Sequence, residues 1–195
     1  MIDYIKGSIA ELTPTEVVIE CNDIGYIASI SLQTYSELEG KEKAKLYLHH
    51  ILREDEELYY GFSSKEERSM FRLLINVSGV GAATARMMLS SLTCEEIRQA
   101  ILAEDVNKIK SVKGIGLKSA QKVIIELKDK ISKGAGFAEN NAIFVQNSAT
   151  VDEATTALIM LGFTKSAVQK AVASIIKKNP ESSVESIIKQ ALQML

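Results

Sequence analysis

The chain has 195 residues, of which 46% are apolar, so it can form hydrophobic cores, and its formal net charge is only −2. No apolar run is long enough to span a membrane, and the N-terminus lacks the pattern of a secretory signal, so we expect a cytoplasmic protein with no membrane partner. Cys21 and Cys94 lie far apart without metal-ligand spacing, and we expect both to be small core residues.

The charge is divided unevenly along the chain. Residues 1–62 contain 5 Lys/Arg and 12 Asp/Glu, a net charge of −7, whereas residues 63–133 contain 13 and 8, a net charge of +5. Residues 134–149 carry −1 and residues 150–195 carry +1. A basic middle segment in an otherwise acidic chain favours a polyanionic ligand for that segment.

Residues 1–62 are predicted to form short strands with one helical turn. The apolar alternation and the turn residues place strands at 4–12, 16–21, 26–31, 45–52 and 58–62, with a helical turn at 32–38. Five strands in this length predict a small Greek-key barrel of the oligonucleotide-binding (OB) type. Such barrels have many uses, so the fold alone assigns no function.

The tip between the last two predicted strands carries four successive acids, beginning with Glu54 and Asp55. A charged tip is usually only solvated, but in a DNA-binding chain it repels phosphate, so it must lie away from DNA or act by that repulsion. His49 and His50 are adjacent on a strand and point to opposite faces, so they cannot chelate one metal together. We expect them to be structural or to face DNA, without a catalytic role.

Residues 63–133 are predicted to be helical, with a repeat of 35 residues. Gly79, Gly81 and Ala85 recur as Gly114, Gly116 and Ala120. Each copy has an apolar helix, a Gly-apolar-Gly turn and a second amphipathic helix, which is one supersecondary unit used twice. Helix starts are predicted at the capping-box pairs Ser63 with Glu66 and Thr93 with Glu96.

Each glycine turn opens a helix, whose first amides lack intrahelical acceptors and lie at the positive end of the helix dipole. Such a start binds phosphate readily, and a single copy would be only an ordinary helical hairpin. Thr84 and Ser119 stand where a Rossmann fingerprint requires its third glycine, which excludes that motif. The predicted DNA-binding residues are Ser78, Gly79, Gly81, Ala82, Ala83, Lys113, Gly114, Gly116, Lys118, Ser119 and Lys122.

Residues 134–149 are rich in small and polar residues and are predicted to be a flexible linker. Residues 150–195 are predicted to form a module of three short helices, with capping boxes at Thr150 with Glu153 and at Ser182 with Glu185. Because this module is nearly neutral, we expect it to bind another protein, and the candidate contacts around the end of its first helix are Leu158, Leu161 and Phe163.

The glycine repeats resemble the helix-hairpin-helix motif of DNA-binding proteins, in tandem. Over the whole chain the order of parts resembles the RuvA family of bacterial Holliday-junction subunits. The residues that carry this resemblance are Met1-Ile2, Lys6-Gly7, Gly25-Tyr26, Arg53-Glu54-Asp55, Tyr60-Gly61-Phe62, Gly114-Ile115-Gly116 with Lys118, and Leu161-Gly162-Phe163. The resemblance implies a multidomain α+β protein with an OB-type barrel, a tandem helix-hairpin-helix domain and a UBA-like three-helix domain.

The resemblance also implies a function in DNA recombination and repair, including the SOS response to DNA damage. Members bind four-way junctions as homotetramers, with an octamer as the open alternative, and an acidic pin, here Glu54 and Asp55, keeps strands apart at the centre. The tethered tail recruits the RuvB ATPase for branch migration, and the nuclease RuvC works on the same junction. The chain departs from the family at Ala82-Ala83, where a lysine is common, and Arg86 is a candidate substitute.

Two other classes of function remain open on the residues alone. A DNA glycosylase or nuclease subunit would need a catalytic acid after the hairpin, where Glu126 and Asp129 are more simply solvated charges. A generic duplex-binding adaptor would use the same phosphate sites without junction preference. The chain contains no Walker A sequence, so we expect no ATPase site of its own, no other catalytic site and no cofactor.

Overall fold

A computed structural model of the chain describes residues 2–132, 146–179 and 182–194. It divides into two compact units, Met1–Phe137 and Ala138–Leu195. The first unit contains a β-barrel and a group of helices, and the described part of the second unit is helical. The predicted multidomain α+β fold is therefore confirmed.

The barrel is closed and has the strand order β1-β2-β3-β5-β4, in which β4 pairs again with β1. Every pairing is antiparallel except that of β3 with β5, which is parallel. The elements are β1 (Tyr4–Leu12), β2 (Glu16–Cys21), β3 (Ile24–Ile30), α1 (Leu32–Leu38), β4 (Lys43–Leu52) and β5 (Glu57–Phe62). Alternate apolar side chains such as Val17, Ile19, Leu46 and Leu48 fill the interior.

Five helices follow the barrel in the first unit and share one core with it. They are α2 (Lys65–Ile75), α3 (Ala82–Ser91), α4 (Cys94–Leu102), α5 (Val106–Lys110) and α6 (Leu117–Ser132). The predicted capping box at Thr93 and Glu96 is present at the start of α4. The hydrogen bond from the Thr93 backbone, helped by Lys108, lowers the pKa of Glu96 to about 2.

Helix α2 starts one residue later than predicted, because its N-cap is Ser64 and not Ser63. The backbone N–H of Ser63 donates to Thr34 Oγ1 at 3.1 Å, whereas the hydroxyl of Ser64 accepts the amide of Glu67 and caps α2. The predicted pairing of Ser63 with Glu66 is therefore wrong, and the cap pairs Ser64 with Glu67.

Two consecutive charged residues of α2 fasten the helices to the barrel. The buried Glu67 carboxylate accepts hydrogen bonds from the hydroxyls of Ser31 and Thr34, the latter at 2.6 Å. The Arg68 guanidinium donates to the backbone carbonyl and the carboxylate of Asp3, at 2.7 and 2.6 Å. These contacts fix the helical group relative to the barrel.

The second unit contains α7 (Gln146–Met160), α8 (Lys165–Lys178) and α9 (Val184–Leu192), as the prediction of three helices requires. Both predicted capping boxes are wrong. Thr150 lies inside α7, which begins four residues earlier and includes the end of the predicted linker, whose other residues lie outside the described ones. The hydroxyl of Ser182 donates to Asn179 O at 3.0 Å, and Ser183 is the N-cap of α9.

Candidate nucleic-acid interface

The first glycine turn joins α2 to α3 and is held by two backbone hydrogen bonds. The amide of Val77 donates to Leu74 O and the amide of Val80 donates to Val77 O, both at 3.0 Å. Between them Gly79 has a φ of +90°, in the left-handed region that favours glycine. The side chains of Val77 and Val80 are buried in the helical core and hold the turn in place, whereas Ser78 and Gly79 between them are exposed.

The second glycine turn joins α5 to α6 and repeats this arrangement. The amide of Val112 donates to Ile109 O at 3.4 Å, and the amide of Ile115 donates to Val112 O at 3.1 Å. Gly114 has a φ of +91°, and Val112 and Ile115 are buried. The repeat seen in the sequence is therefore a repeat of backbone geometry.

Each turn ends at a helix whose first three amides have no intrahelical acceptor. The first amide of α3 that has an intrahelical acceptor is that of Ala85, which donates to Gly81 O at 2.9 Å, and the first in α6 is that of Ala120, which donates to Gly116 O at 2.9 Å. The residue before each helix is glycine, so no side chain caps the helix from that position. These amides are available to an external acceptor.

Gly81 and Gly116 are not required by the packing of the chain itself. A Cβ built at either position meets no atom within 4 Å, and neither residue has a positive φ. Gly81, at φ −80° and ψ 168°, has the backbone of an ordinary N-cap, where Ser or Asp would stabilise the helix more than glycine. A bare backbone here leaves room for an external group to approach closely.

The second turn is surrounded by exposed lysines. Lys113, Lys118 and Lys122 are exposed, and within the described ranges none of them forms an ion pair. Lys110, at the end of α5, is also exposed and was not among the predicted residues, although its place just before the repeat could have suggested it. These side chains concentrate positive charge near the amides of α6.

Other lysines of the same segment are neutralised locally. Lys108 pairs with Glu96 at 3.0 Å, and Lys128 pairs with Glu104. The positive charge counted over residues 63–133 is therefore more concentrated at the second turn than the sequence indicates.

The first turn has no lysine at the positions that match Lys113, Lys118 and Lys122, and its candidate substitute, Arg86, contacts the barrel instead. Arg86 donates from its guanidinium to Thr15 O at 2.8 Å, in the turn between β1 and β2. That contact ties α3 to the barrel and reduces the reach of Arg86 toward the glycine turn. The first turn therefore offers chiefly backbone amides, with Ala82 half-buried and Ala83 exposed.

The predicted DNA-binding residues therefore lie on two equivalent turns that rest on one core. Ser78, Gly79, Gly81 and Ala83 of the first turn are exposed, as are Lys113, Gly114, Gly116, Lys118 and Lys122 of the second, and Ala82 and Ser119 are partly buried.

The acidic tip lies in the turn between β4 and β5, where Arg53 N donates to Glu56 O at 2.8 Å. The guanidinium of Arg53 also pairs with the Glu56 carboxylate at 3.0 Å. Glu54 and Asp55 are exposed, and neither has an ion pair or hydrogen bond with any residue that the structure describes. Two uncompensated negative charges therefore stand at the end of this hairpin.

The two histidines have different neighbours in the hairpin below the tip. The ring of His49 lies 5.4 Å from that of Phe71, and burial lowers the pKa of this histidine. The ring of His50 is stacked on Tyr59 at 4.8 Å, and its Nε2 lies 2.9 Å from the Glu57 carboxylate. Both rings contribute to the packing of the hairpin.

The predicted partner contacts of the second unit differ in their accessibility. Leu158 is fully buried in the core of this unit, and Phe163 is packed against that core. Leu161 is 61% exposed beside Met160, which is 83% exposed and was not predicted. Leu158 is therefore a core residue, whereas Met160 and Leu161 are among the exposed apolar side chains of this unit.

The described residues contain neither a membrane-spanning helix nor a metal-binding cluster. None of these helices has the length and apolarity that a membrane span requires. No group of three or more His, Cys, Asp or Glu side chains is placed to hold a metal ion in this part of the chain.

The sequence matches known families in three parts. Residues 1–61 match the RuvA N terminal domain, residues 71–129 match the SAM-like Helix-hairpin-helix tandem, and residues 149–195 match the RuvA, C-terminal domain. The chain is 50% identical over 201 residues to a Bacteroides fragilis protein and 52% identical over 196 residues to one of Christiangramia forsetii. Both are named Holliday junction branch migration complex subunit RuvA, and each match covers 100% of both chains.

Proposed function

This chain belongs to the RuvA family, and we propose that it binds four-way DNA junctions without sequence preference and serves as the junction-binding subunit of a branch-migration complex. The relatives named above carry that function in their names and align over their full length. The proposed setting is homologous recombination and DNA repair in the cytoplasm.

The observation that carries this proposal is the pair of equivalent turns with open glycines. Amides at the starts of α3 and α6 have no acceptor within their helices and can donate to phosphate oxygens. Contacts from backbone amides and lysines to phosphates position a protein on DNA but read no bases. Binding by these turns is therefore independent of sequence and strongly dependent on salt.

The acidic tip favours a junction over a continuous duplex as the preferred ligand. Glu54 and Asp55 stand uncompensated on a chain whose other elements attract phosphate. In an assembly of four copies around one crossover, these tips would meet at the centre and repel strands that must separate. A generic duplex-binding adaptor gives no role to this charge, which is why we prefer the junction.

In this proposal the chain contributes no ATP hydrolysis, and a RuvB ATPase supplies the motor. The second unit would recruit that motor through the exposed apolar contact of Met160 and Leu161. RuvC, the nuclease of the same pathway, would act on the junction held in this way. A homotetramer is the proposed functional state, with pairing of two tetramers as the alternative.

A truncation separates the two roles. A chain that ends at residue 137 should bind a four-way junction as tightly as the full chain but should fail to stimulate branch migration by RuvB. A full-length Met160→Asp/Leu161→Asp variant should show the same loss, which excludes an effect of chain length. Loss of junction affinity on truncation would instead make the second unit part of the DNA site.

A further inference from the structure

The barrel is strongly acidic, but its few positive charges are clustered. Of its 5 Lys/Arg, four are Lys6, Lys41, Lys43 and Lys45, and all four lie on or next to the paired strands β1 and β4. All are exposed, and no ion pair with a described residue involves them. The remaining cation, Arg53, is paired at the acidic tip.

The strand register places three of these lysines on one face. Lys6 lies directly opposite Lys45, and Ser8 lies directly opposite Lys43. Like charges opposite each other on a sheet destabilise it, so the pair of Lys6 with Lys45 has a cost that the barrel alone does not explain. An anion bound between the strands would offset that cost.

Two tyrosines extend this face at one end. Tyr4 lies opposite Tyr47, and the Lys45 ammonium lies 4.1 Å from the ring centre of Tyr4 and 4.9 Å from that of Tyr47. Arg68 of α2 covers the same Tyr47 ring at 5.3 Å and is itself paired with Asp3. The rings hold the Lys45 side chain in place, which reduces the entropy it would lose on binding.

We propose that the basic sheet face, formed by Tyr4, Lys6, Lys43, Lys45 and Tyr47, is a second contact for the DNA phosphate backbone. This proposal depends on the proposed function in one respect, namely that DNA is the ligand. The basic sheet face includes no residue of either glycine turn. Lys43 and Lys45 are two residues apart on one strand, so their side chains stand roughly 6.8 Å apart along it. That spacing suits successive phosphates of one DNA strand.

The charges around this face limit its extent. Glu20 on β2 lies opposite Ser8 and borders the face on that side. Glu42 precedes β4 and is exposed. The attractive surface is therefore a narrow strip along β1 and β4, which fits a single phosphate backbone better than a broad acidic protein.

The test uses the full chain with Lys6→Gln/Lys43→Gln, which leaves Lys45 between its two rings. The matched control is Lys170→Gln/Lys189→Gln, which removes the same charge from exposed positions of the second unit. Affinity for a four-way junction and for a linear duplex is measured across a range of salt concentrations. Thermal unfolding and light scattering report the fold and the oligomeric state of each variant.

The slope of log affinity against log salt should fall by about 0.9 for each lysine that contacts a phosphate, or about 1.8 per chain, with the control unchanged. Thermal stability should be unchanged or raised, because the repulsion between Lys6 and Lys45 is relieved.

An unchanged slope overturns the proposal and leaves the glycine turns as the DNA site. A slope that falls only together with a changed oligomeric state also overturns it, because the face would then be an interface between copies. If the unaltered chain binds junction and duplex equally, the proposed function fails, and the slope measured on duplex still decides this proposal.

Discussion

Gly79 and Gly114 adopt the same left-handed backbone, with φ of +90° and +91°, although they belong to different pairs of helices. The glycines two positions later, Gly81 and Gly116, do not have positive φ, and a Cβ at either position would meet no atom within 4 Å. The two glycines of each turn therefore serve different purposes. The first glycine provides the left-handed backbone that the turn requires, and the second leaves the start of a helix without a capping side chain.

Replacement of the second glycines should separate stability from binding. Gly81→Ser/Gly116→Ser supplies an N-cap side chain to α3 and α6, so the free energy of unfolding should rise by a few tenths of a kcal/mol per site. DNA affinity should fall severalfold, because the new side chains occupy the amides and the space that phosphate needs. Denaturant unfolding and fluorescence anisotropy measure the two effects.

Gly79→Ala tests the other glycine of the first turn and should lower the free energy of unfolding. A Cβ at Gly79 meets no atom, so the cost is that of a left-handed backbone, about 1–2 kcal/mol. If Gly81→Ser/Gly116→Ser left DNA affinity unchanged, the starts of α3 and α6 would not be phosphate sites.

Lys118 and Ala83 occupy equivalent positions of the two repeats, and both are exposed. Lys118→Ala should weaken DNA binding and reduce the salt slope by about 0.9, since one phosphate contact is lost. Ala83→Lys should strengthen binding by less, because a flexible side chain is added to a turn that already binds through amides. Salt titrations of both variants are the measurement, and an unchanged slope for Lys118→Ala would place that lysine off the DNA.

The acidic tip is expected to act by repulsion. Glu54→Gln/Asp55→Asn removes two charges at nearly constant shape and should increase affinity for linear duplex more than affinity for a junction. Branch migration in the presence of RuvB should change in rate at the same time. Each exposed charge acts weakly, so the effect depends on several tips acting together.

A control with the same change of charge is Glu11→Gln/Glu16→Gln, on exposed positions of the barrel outside the tip. If this control raised duplex affinity as much as the tip variant, general charge and not the tip would be responsible. Normal migration by the tip variant would make the tip an ordinary solvated turn.

Glu67 should make the stability of the first unit depend on pH. Burial raises the pKa of this carboxyl, and the hydrogen bonds from Ser31 and Thr34 offset only part of that rise. The folded state therefore holds the proton more tightly than the unfolded state, and stability should fall as the pH rises from about 4.5 through the folded pKa. In Glu67→Gln, which keeps an acceptor for the hydroxyls, this decline should be absent.

Glu67→Ala is the comparison, because it leaves the hydroxyls of Ser31 and Thr34 without their acceptor. It should destabilise the protein by about 1–3 kcal/mol for each buried group left unsatisfied. Unfolding by denaturant at pH 4.5 and pH 7 measures all three proteins. An identical pH dependence in the unaltered chain and in Glu67→Gln would show that Glu67 does not titrate in this range.

Features with a local cause could be predicted from the sequence. The alternation of strands, the spacing of Gly79 and Gly114, and the capping box at Thr93 each follow from residues close in the chain. Two other features depend on contacts between residues that lie far apart in the chain. The Ser63 amide donates to Thr34 Oγ1 while Ser64 caps α2, and the guanidinium of Arg86 donates to Thr15 O instead of reaching the first turn.

Accessibility was also hidden from the sequence. Leu158 and Leu161 both belong to an apolar stretch, but one is in the core and the other is exposed, which depends on how α7 packs. The ion pairs of Lys108 with Glu96 and of Lys128 with Glu104, and the burial of Glu67, likewise result from packing between helices. The basic sheet face appears only when β1 and β4 are brought into register.

The central claim is that this chain recognises the structure of a junction, and one binding comparison tests it most directly. The dissociation constants of the full chain are measured for an immobile four-way junction and for a linear duplex of equal length, each in several unrelated sequences at one salt concentration. Every junction should bind more tightly than every duplex, by at least about tenfold or about 1.4 kcal/mol, with little variation among sequences. Equal dissociation constants for junction and duplex would contradict it.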